Sequence, residues 1–249
     1  MATAPSEDQR RLLEVQALDT RLQQLVHQRR NHPSLATIAE LDGRMGDLHT
    51  SLVDSRTAVG DLEREVAKAE ADVAQVRTRA TKDQQKLDSG ALSAKDSQAL
   101  VSELESLARR QSVLEDAELE VMERLEAHQA ALAEVESAHA ELEAAKDAAA
   151  AERDAAWAEI NAAGSKVKAE REAAAAGLDA GLLALYDKLR VQLGGVGAAA
   201  LSGGRCEGCR LELNPGDLAA AKGAPKDQIV RCEECGRILV RLPDEGAAA

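Results

Sequence analysis

Apolar residues recur at alternating intervals of three and four positions along two long stretches of this chain, and this spacing constrains the fold more than any other feature. It is typical of the a/d seam of a left-handed coiled coil, in which each helix buries one stripe against a partner. The first series consists of Ile38, Leu41, Met45, Leu48, Leu52, Ser55, Val59, Leu62, Val66, Ala69, Val73, Val76 and Ala80. The second series, which has polar interruptions, consists of Leu100, Leu104, Leu107, Gln111, Leu114, Glu118, Val121, Leu125, His128, Leu132, Val135, His139 and Leu142. The spacing predicts two long helices that pack along these seams.

The composition favours long helices over a large globular core. Hydrophobic residues make up 45% of the 249 residues, but aromatic residues make up only 1%, namely Trp157 and Tyr186. Globular cores rely on aromatic side chains because each buries a large area, whereas Ala, Leu and Val mixed with charged residues are typical of coiled coils. The net charge of −13 repels nucleic acid and anionic lipid on average. It therefore counts against a nucleic-acid coat protein, although a local basic site stays open.

The segment between the two series has the features of a tight connection. Gly90 can adopt the left-handed conformation that ends a helix. Ser93, followed three residues later by Asp96, resembles a capping box that begins the next helix. A short break between seams of matched length predicts an antiparallel helical hairpin with its turn near residues 88–93. A parallel homodimer with an interruption is the alternative.

Proline and glycine mark the outer limits of the long helices. Pro33 removes a backbone donor and should break or kink the first helix, which leaves residues 6–30 as a separate helix with Ser6 as its N-cap. The second long helix should end near Gly177. A short helix capped by Asp179 and then a glycine-rich connector should follow.

These features predict a mainly α protein, with a long antiparallel coiled-coil hairpin and a small C-terminal β module. The predicted divisions are a coiled-coil hairpin at 1–177, a short helix and connector at 178–204, a zinc ribbon at 205–242 and a disordered tail at 243–249. Residues 205–242 are too few to bury a self-sufficient core. This module therefore needs another source of folding energy, which a bound metal supplies.

Four cysteines, all in that module, are the candidate metal ligands. They form two Cys-x-x-Cys pairs separated by 22 residues, and the members are Cys206, Cys209, Cys232 and Cys235. Four thiolates at this spacing predict one tetrahedral, structural Zn²⁺. No ligand position stays open for the water that a catalytic zinc requires. The alternative is a redox role in which each pair is a thiol–disulfide couple.

Short strands are expected around the two cysteine pairs. Residues 238–240 are apolar and β-branched in part, so they predict a strand, with residues 228–230 as its hairpin partner. Residues 211–213 predict another short strand. Two cysteine knuckles joined to small strands make a zinc ribbon.

Basic side chains are the candidate contacts for partners. The ribbon carries seven basic and six acidic residues, and five arginines near the knuckles could bind phosphate: Arg205, Arg210, Arg231, Arg237 and Arg241. Alternatively, these arginines are solvated or offset the thiolate charge. A second cluster near the hairpin turn could dock a partner: Arg77, Arg79, Lys82, Lys86, Arg109 and Arg110. The alternative for this cluster is salt bridges within the hairpin.

Other functional classes lack support in the sequence. No apolar run reaches the roughly 18 residues of a membrane-spanning helix, and the polar, acidic N-terminal residues do not form a signal peptide. The cysteines are therefore expected to be cytoplasmic metal ligands. Residues 194–197 are glycine-rich but lack the lysine and hydroxyl of a phosphate-binding loop. No residue set predicts catalysis or a small-molecule substrate, so the chain is expected not to be an enzyme.

Four stretches of the chain, in this order, resemble a bacterial family that combines an N-terminal coiled-coil hairpin with a C4-type zinc ribbon. They are the hairpin turn and return at 89–103, residues 110–123, residues 182–190 and the four cysteines. The chain looks like an actinobacterial member of that family. The resemblance implies structural zinc at the cysteines and a role in binding nucleic acid or protein rather than in catalysis. Some members are thought to contact RNA or an alternative sigma factor.

The favoured hypothesis is a non-enzymatic, zinc-binding adaptor or regulator. Its ribbon would contact RNA, DNA or the transcription or translation machinery, and its hairpin would hold a protein partner. One alternative is a purely protein–protein scaffold with the ribbon as a structural cap, which the net charge of −13 favours. Another is an RNA-polymerase-binding coiled-coil factor. Such factors work through acidic tips, whereas Asp88 stands at this turn between basic flanks.

Overall fold

The computed structural model describes residues 2–242, which contain five α-helices and one three-stranded sheet. The helices are α1 (Ser6–Arg30), α2 (Pro33–Asp88), α3 (Ala94–Ala175), α4 (Ala180–Gln192) and α5 (Pro215–Gly223). The strands are β1 (Ala198–Ser202), β2 (Arg205–Cys206) and β3 (Ile238–Arg241). The tail predicted at 243–249 lies outside the described residues. The predicted fold class, a helical hairpin with a small C-terminal sheet, is confirmed.

The chain divides into two compact units. The hairpin unit comprises residues 36–150, and the ribbon unit comprises the residues up to 35 together with those from 151 onward. This grouping cuts across the hairpin predicted at 1–177, because α1 and the C-terminal part of α3 pack in the same unit as the cysteine module.

In the hairpin unit, the burial of side chains confirms the two predicted seams. Every position of both series is buried or half-buried except His128, which is exposed. His128 is one of the polar interruptions that the sequence shows in the second seam, and its imidazole keeps its hydration by facing solvent. The most completely buried seam residues are Val73, Leu62 and Leu52.

Ion pairs across the hairpin unit show that its two helices are antiparallel. Lys146 lies 2.6 Å from Asp42, and Arg56 lies 2.8 Å from Glu136. Residues later in α2 therefore pair with residues earlier in α3. These pairs are solvent-exposed and contribute roughly 0–1 kcal/mol each, so they align the helices more than they stabilise them. Further pairs join Arg77 to Glu115 and Arg124 to Glu65.

The predicted turn between the long helices is confirmed. Gly90 has a φ of 66°, the left-handed region that glycine adopts without strain. The Asp96 backbone N–H donates to Ser93 Oγ at 3.2 Å, and the Ser93 hydroxyl donates to Asp96 Oδ2 at 2.7 Å. This arrangement satisfies donors at the start of α3.

The predicted break at Pro33 is also confirmed, because α1 ends at Arg30 and α2 begins at Pro33 itself. Proline suits the first position of a helix, because the backbone N–H that it lacks would have no acceptor within the helix there. The N-cap predicted for α1 was wrong: Ser6 is already helical, Pro5 precedes it, and no side chain caps that end. Asp179, in contrast, caps α4 by accepting from the Leu182 N–H at 2.8 Å.

In the ribbon unit, the sheet has the order β2-β1-β3, with β1 antiparallel to β2 and parallel to β3. The central strand β1 lies in the segment that the sequence assigned to a connector. Its sequence, Ala-Ala-Ala-Leu-Ser, has low strand propensity and no polar alternation. The strand forms because Ile238 and its neighbours pair with it from about forty positions further along the chain.

The other predicted strands are reduced to single bridges. Glu212 bridges to Arg205 and Gln228 bridges to Thr3, and Arg231, just after the predicted segment, bridges to Ile238. Residues 211–213 and 228–230 form no strand. Helix α5 occupies part of the interval between the two cysteine pairs. Asn214 is its N-cap, whose side chain accepts from the Asp217 N–H, and Pro215 occupies its first position.

Both faces of the sheet are buried, which positions the cysteines. One face, with Ala198, Ile238 and Val240, packs on Leu12 of α1 and Tyr186 of α4 in a core that includes further residues of both helices. The other face packs on the cysteine knuckles and α5 through Ala199, Leu201 and Leu239. The alternation along a strand sends successive side chains to opposite faces. The sheet therefore joins the helices to the metal site.

Candidate metal centre

The two Cys-x-x-Cys segments adopt equivalent backbone turns. In the first, the Cys206 N–H donates to Leu211 O at 3.0 Å and the Arg210 N–H donates to Cys206 O at 2.7 Å. In the second, the Cys232 N–H donates to Arg237 O at 2.9 Å and the Gly236 N–H donates to Cys232 O at 2.8 Å. Each turn is a knuckle that points its two sulfurs to one place. We refer to them as the first and second knuckles.

The residue after the second cysteine of each knuckle has a positive φ. Gly236 adopts this conformation in the second knuckle with a φ of 72°. Arg210 occupies the equivalent position in the first knuckle with a φ of 64°, and it is the one residue other than glycine with a positive φ in residues 2–242. A side chain in the left-handed region costs about 1–2 kcal/mol.

The four sulfurs form a set that fits one tetrahedral metal ion. All four lie within 4.8 Å of one another. Cys206 Sγ lies 3.9 Å from Cys235 Sγ, and Cys209 Sγ lies 4.0 Å from Cys232 Sγ. Thiolates about 2.3 Å from a tetrahedral zinc are about 3.8 Å apart. The spacing in this chain matches that geometry, whereas a disulfide requires about 2.05 Å.

The sulfur geometry favours zinc over the redox alternative. Sulfur contacts of 3.9 Å and 4.0 Å join each cysteine to one of the other knuckle, and all four sulfurs lie within 4.8 Å of one another, so they form one cluster and not two separate pairs. Redox couples of the predicted kind form within a pair. Cys206 and Cys232 are buried, which further limits access by an external disulfide.

Burial sets the pKa of the thiols in the metal-free chain. Burial raises the pKa of Cys232 to about 12, and it also raises the pKa of Cys206. Burial likewise acts on Cys235, but hydrogen bonds, first from the Arg237 backbone N–H, outweigh it and lower the pKa to about 7. Metal ligation requires thiolates, so Zn²⁺ must displace protons from the more basic sulfurs.

The first knuckle has glycine at position 208 because a residue of the second knuckle lies close to it. A Cβ on Gly208 would lie 2.7 Å from Arg237 Cδ and 2.9 Å from Ala199 Cβ. The Arg237 side chain crosses this position and donates to Val196 O at 3.0 Å. Arg237, predicted from the sequence to contact nucleic acid, is therefore half-buried and bonded within the fold.

The other predicted ribbon contacts divide into two groups. Arg241 donates to backbone carbonyls after α5, including Ala224 O at 2.6 Å. Arg205, Arg210 and Arg231 are exposed. Of these, Arg205 pairs with Glu207 at 3.1 Å and Arg231 donates to Gly236 O at 2.7 Å. Arg210 is exposed and forms no ion pair in the described chain, so it is the most available cation of the five.

The predicted docking cluster in the hairpin unit is partly neutralised. Arg77 donates to Glu115, whose pKa is lowered by hydrogen bonds from Gln111 and then from Arg77. Arg79 pairs with Glu103 at 2.8 Å. Lys86 bonds Asp83 at 3.0 Å. Three members have no ion pair among residues 2–242: Lys82, Arg109 and Arg110.

A buried charge network supports the ribbon unit, and the sequence analysis missed it. The Tyr186 hydroxyl donates to Asp19 Oδ2 at 2.7 Å, while Arg171 and Arg190 lie 3.4 Å and 3.5 Å from the same carboxylate. Burial, then the bond to Asp19, raises the pKa of Tyr186 well above its ordinary value. Burial alone would lower the pKa of Arg171, but Asp19 and then Asp187 raise it. Tyr186 is the single tyrosine of the chain, and its presence was the one sequence signal that could have pointed to this network.

Comparisons with known proteins identify both parts of the chain. Residues 15–194 match the family model of the CT398-like coiled coil hairpin domain, and residues 205–239 match that of the C4-type zinc ribbon domain. An uncharacterized protein of Mycobacterium tuberculosis is 39% identical over 94% of this chain and 95% of its own length. Neither matched family is an enzyme class. The cofactor of this chain is one structural Zn²⁺, held in its C4 ribbon.

Solved structures agree with this assignment. A structure from Mycobacterium smegmatis is 36% identical, covers 96% of this chain and 100% of its own, and has a TM-score of 0.84. The CT398 protein of Chlamydia trachomatis is 18% identical, with 95% and 98% coverage and a TM-score of 0.65, so it shares the fold. Within residues 2–242, no helix is long and apolar enough to cross a membrane.

Proposed function

The chain belongs to the family of CT398-like coiled-coil hairpin proteins with a C4 zinc ribbon, and on this premise we propose that it is a non-enzymatic cytoplasmic adaptor that contacts nucleic acid through its first knuckle. The observation that carries the proposal is Arg210, an exposed and unpaired cation held in a left-handed conformation beside the metal site. Strained residues are retained where the surrounding structure and function require them.

The surface around Arg210 suits a phosphate backbone and a base. Arg205 is exposed nearby on β2, and Leu211, the next residue in the chain, is 52% exposed. Guanidinium groups bind phosphate oxygens with two parallel hydrogen bonds. An apolar side chain beside them offers a surface for an unstacked base. Because Zn²⁺ fixes the knuckle, these groups need little ordering when they bind.

A binding assay with matched charge variants tests this proposal. Fluorescence anisotropy of a labelled single-stranded oligonucleotide, RNA or DNA, is measured at low salt with the zinc-loaded chain. We expect Arg205→Gln with Arg210→Gln to weaken binding about tenfold or more. The slope of log K against log salt concentration should fall in magnitude by about two, since two phosphate contacts are lost. The control, Arg21→Gln with Arg44→Gln, removes the same charge from exposed helical positions. No binding by the unaltered chain, or an equal loss in the control, would refute the nucleic-acid contact.

A protein partner on the hairpin unit is the second candidate function. Large hydrophobic side chains are exposed along the half of the hairpin unit that is nearer the turn, namely Leu92, Val101, Val113, Leu119 and Met122. The three unpaired cations Lys82, Arg109 and Arg110 lie in the same part of the sequence. An exposed apolar set beside unpaired cations favours a partner with apolar and acidic side chains.

Site-specific crosslinking in cells tests the protein partner. A photoreactive amino acid at Val113, which is 67% exposed, is compared with the same group at Val53, which is 47% exposed on α2. We expect one protein to crosslink at Val113 and not at Val53. This crosslink should disappear when Lys82, Arg109 and Arg110 are changed to Glu. A crosslink that survives this charge reversal, or equal capture at both positions, would contradict the proposal.

The polymerase-factor alternative has less support in the structure. It requires an acidic tip at the hairpin turn, but Asp88 stands among basic residues such as Lys82 and Lys86. Asp83 is buried and bonded to Lys86. We therefore place the partner contact on the apolar and basic side chains near the turn.

A further inference from the structure

A cleft of about 650 Å³ lies in the ribbon unit, apart from the metal site. Four separate segments form it: the first turns of α1, the turn between β1 and β2, the end of α5 with the loop that follows, and the end of β3. Small-molecule sites typically occupy about 300–1,000 Å³. The cleft is therefore large enough for a ligand of nucleotide size.

The charges that line this cleft all have one sign. Arg10, Lys222, Lys226 and Arg241 contribute side chains to it, and no carboxylate residue lines it. None of these four cations forms an ion pair with a carboxylate in the described part of the chain, in a protein whose net charge is −13. Four unopposed cations in one concavity attract an anion strongly, because the walls exclude part of the solvent.

The position of Arg241 in the cleft is set by hydrogen bonds to neutral groups. Arg241 donates to Ala224 O at 2.6 Å, to Pro225 O at 2.8 Å and to Gln228 O at 2.9 Å. These bonds hold the loop that carries Lys226. Carbonyl groups carry no net charge, so the positive charge of Arg241 remains available to a ligand.

Two further features suit a phosphate ester. Gly203 and Gly204, with φ values of 57° and 85°, form the turn that lines one side, and glycine allows a ligand to approach the backbone closely. Leu201 and Leu242 add apolar surface to the same cleft. A ligand that combines a phosphate with a flat, partly apolar group would use both kinds of surface.

We propose that this cleft binds the phosphate group of a nucleotide, either a free nucleotide or the phosphorylated end of a strand. Lys222, Lys226 and Arg10 contact the phosphate, Arg241 holds their surroundings in place, and Leu201 and Leu242 contact the base or sugar. This inference is independent of the contact proposed for the first knuckle, because Arg205 and Arg210 do not line the cleft.

Calorimetric titration of the zinc-loaded full chain in a phosphate-free buffer tests the proposal. The ligands are adenosine monophosphate, inorganic phosphate and adenosine. We expect adenosine monophosphate to bind more tightly than inorganic phosphate, and adenosine not to bind. Lys222→Gln with Lys226→Gln should weaken the binding of adenosine monophosphate at least about tenfold, since two charge-assisted hydrogen bonds are lost. The exposed pair Lys168 and Lys188, changed to Gln in the same way, should leave it within about twofold.

Several results would overturn the proposal. They are no binding of either phosphate-bearing ligand, equal binding of adenosine, or an equal loss in the Lys168 and Lys188 control. If the Lys222 and Lys226 variant loses zinc or helix content, Arg10→Gln replaces it and must weaken binding by several-fold.

Two further arms separate the ligand sources and the two proposals. Displacement of adenosine monophosphate by a 5′-phosphorylated RNA oligonucleotide, and not by its 5′-hydroxyl counterpart, assigns the phosphate to a strand end. Displacement by neither assigns it to a free nucleotide. Arg205→Gln with Arg210→Gln should leave the binding of adenosine monophosphate unchanged even where it abolishes binding at the first knuckle, and a loss here would show that the cleft is not a separate site.

Discussion

The hairpin unit and the ribbon unit bury their apolar residues by different means. In the hairpin unit, two helices cover one stripe of each other, so most seam positions are only half-buried. In the ribbon unit, helices cover one face of a short sheet and cysteine knuckles cover the other, so residues such as Leu182, Tyr186 and Leu239 are completely buried. A repeated local pattern is sufficient for the first arrangement. The second depends on contacts between segments that are distant in the chain.

Because of this difference, the two units should respond differently to substitutions and to loss of the metal. The stability of the hairpin is spread along many similar layers, whereas that of the ribbon depends on a metal site and one small core. The single tryptophan, Trp157, lies in the ribbon unit, and the guanidinium groups of Arg29 and Arg153 lie over its ring at 4.8 Å and 5.1 Å from its centre. Its fluorescence therefore reports on the ribbon unit, while helical circular dichroism reports mainly on the long helices.

Removal of zinc should reveal the largest difference in stability between the two units. A structural zinc supplies roughly 10–16 kcal/mol in small zinc-folded modules, so chelation or Cys206→Ser is expected to unfold the knuckles and expose the sheet. Hydrogen exchange should increase at residues 198–241 and at the parts of α1 and α4 that pack on the sheet, but not at 36–150. Most of the helical circular dichroism should persist. Loss of protection throughout the hairpin would contradict the separation of the units.

Acid should release the metal before it affects the hairpin. Zn²⁺ competes with protons for Cys206 and Cys232, whose pKa values are raised by burial, and for Cys235 with a pKa of about 7. Lower pH favours the protonated thiols, so zinc affinity should fall as pH falls, by more than about tenfold per unit below pH 7 because several protons are bound. A colorimetric zinc indicator measures this dependence. A flat affinity between pH 7 and pH 5 would show that these thiols are not the ligands.

Asp19→Ala should destabilise the ribbon unit by roughly 2–3 kcal/mol, because it leaves the buried Tyr186 hydroxyl without its acceptor and leaves Arg171 and Arg190 with Asp187 as their remaining carboxylate. Urea unfolding followed by Trp157 fluorescence measures the change. As a control, Glu170→Ala removes an exposed carboxylate that pairs with Lys166 in the same unit, and it should cost less than about 1 kcal/mol. Equal effects of the two substitutions would mean that the buried network contributes little.

Leu62→Ala should destabilise the hairpin unit by about 2–3 kcal/mol. Leu62 is among the most buried seam residues, and truncation removes its packing and leaves a cavity. The expected value is at the lower end for leucine because a two-helix seam can relax around the change. Circular dichroism should detect the loss, and Trp157 fluorescence should report an unchanged ribbon unit. A matched change at the exposed Leu119 should have little effect on stability.

Arg210→Gly should have the smallest effect on stability, and its sign should be favourable. Glycine adopts the positive φ of this position without a steric penalty, so zinc-loaded protein should gain up to about 1 kcal/mol. The same substitution should weaken oligonucleotide binding. A destabilised protein would show that the Arg210 side chain makes contacts on which the knuckle depends, and this would remove the argument from strain.

The sequence was sufficient to predict the hairpin because every signal there is local. The three-and-four spacing, the break at Pro33, the left-handed Gly90 and the Ser93–Asp96 cap each act within a few residues of their position. His128 is the exception. A spacing pattern records where a seam position falls, but not whether a polar side chain there turns to solvent.

The cysteine spacing likewise predicted the metal and its coordination number, since ligand identity and spacing restrict the possible sites. The surroundings of the site could not be predicted. Strand β1 has an alanine-rich sequence, and its partner β3 follows after the whole cysteine module. The predicted phosphate contacts Arg237 and Arg241 bond backbone carbonyls instead, because the sequence shows that an arginine is present but not which acceptors lie around it.

Sequence alone therefore determined the helical hairpin and the zinc ligands of this protein, because heptad spacing and Cys-x-x-Cys pairs encode short-range geometry directly. Only the tertiary structure decided which helices cover the sheet, that Asp19 and Tyr186 share a buried bond, and that four cations from distant segments face one cleft. These features depend on segments brought together by burial of the sheet, and no local pattern records which distant segments will meet.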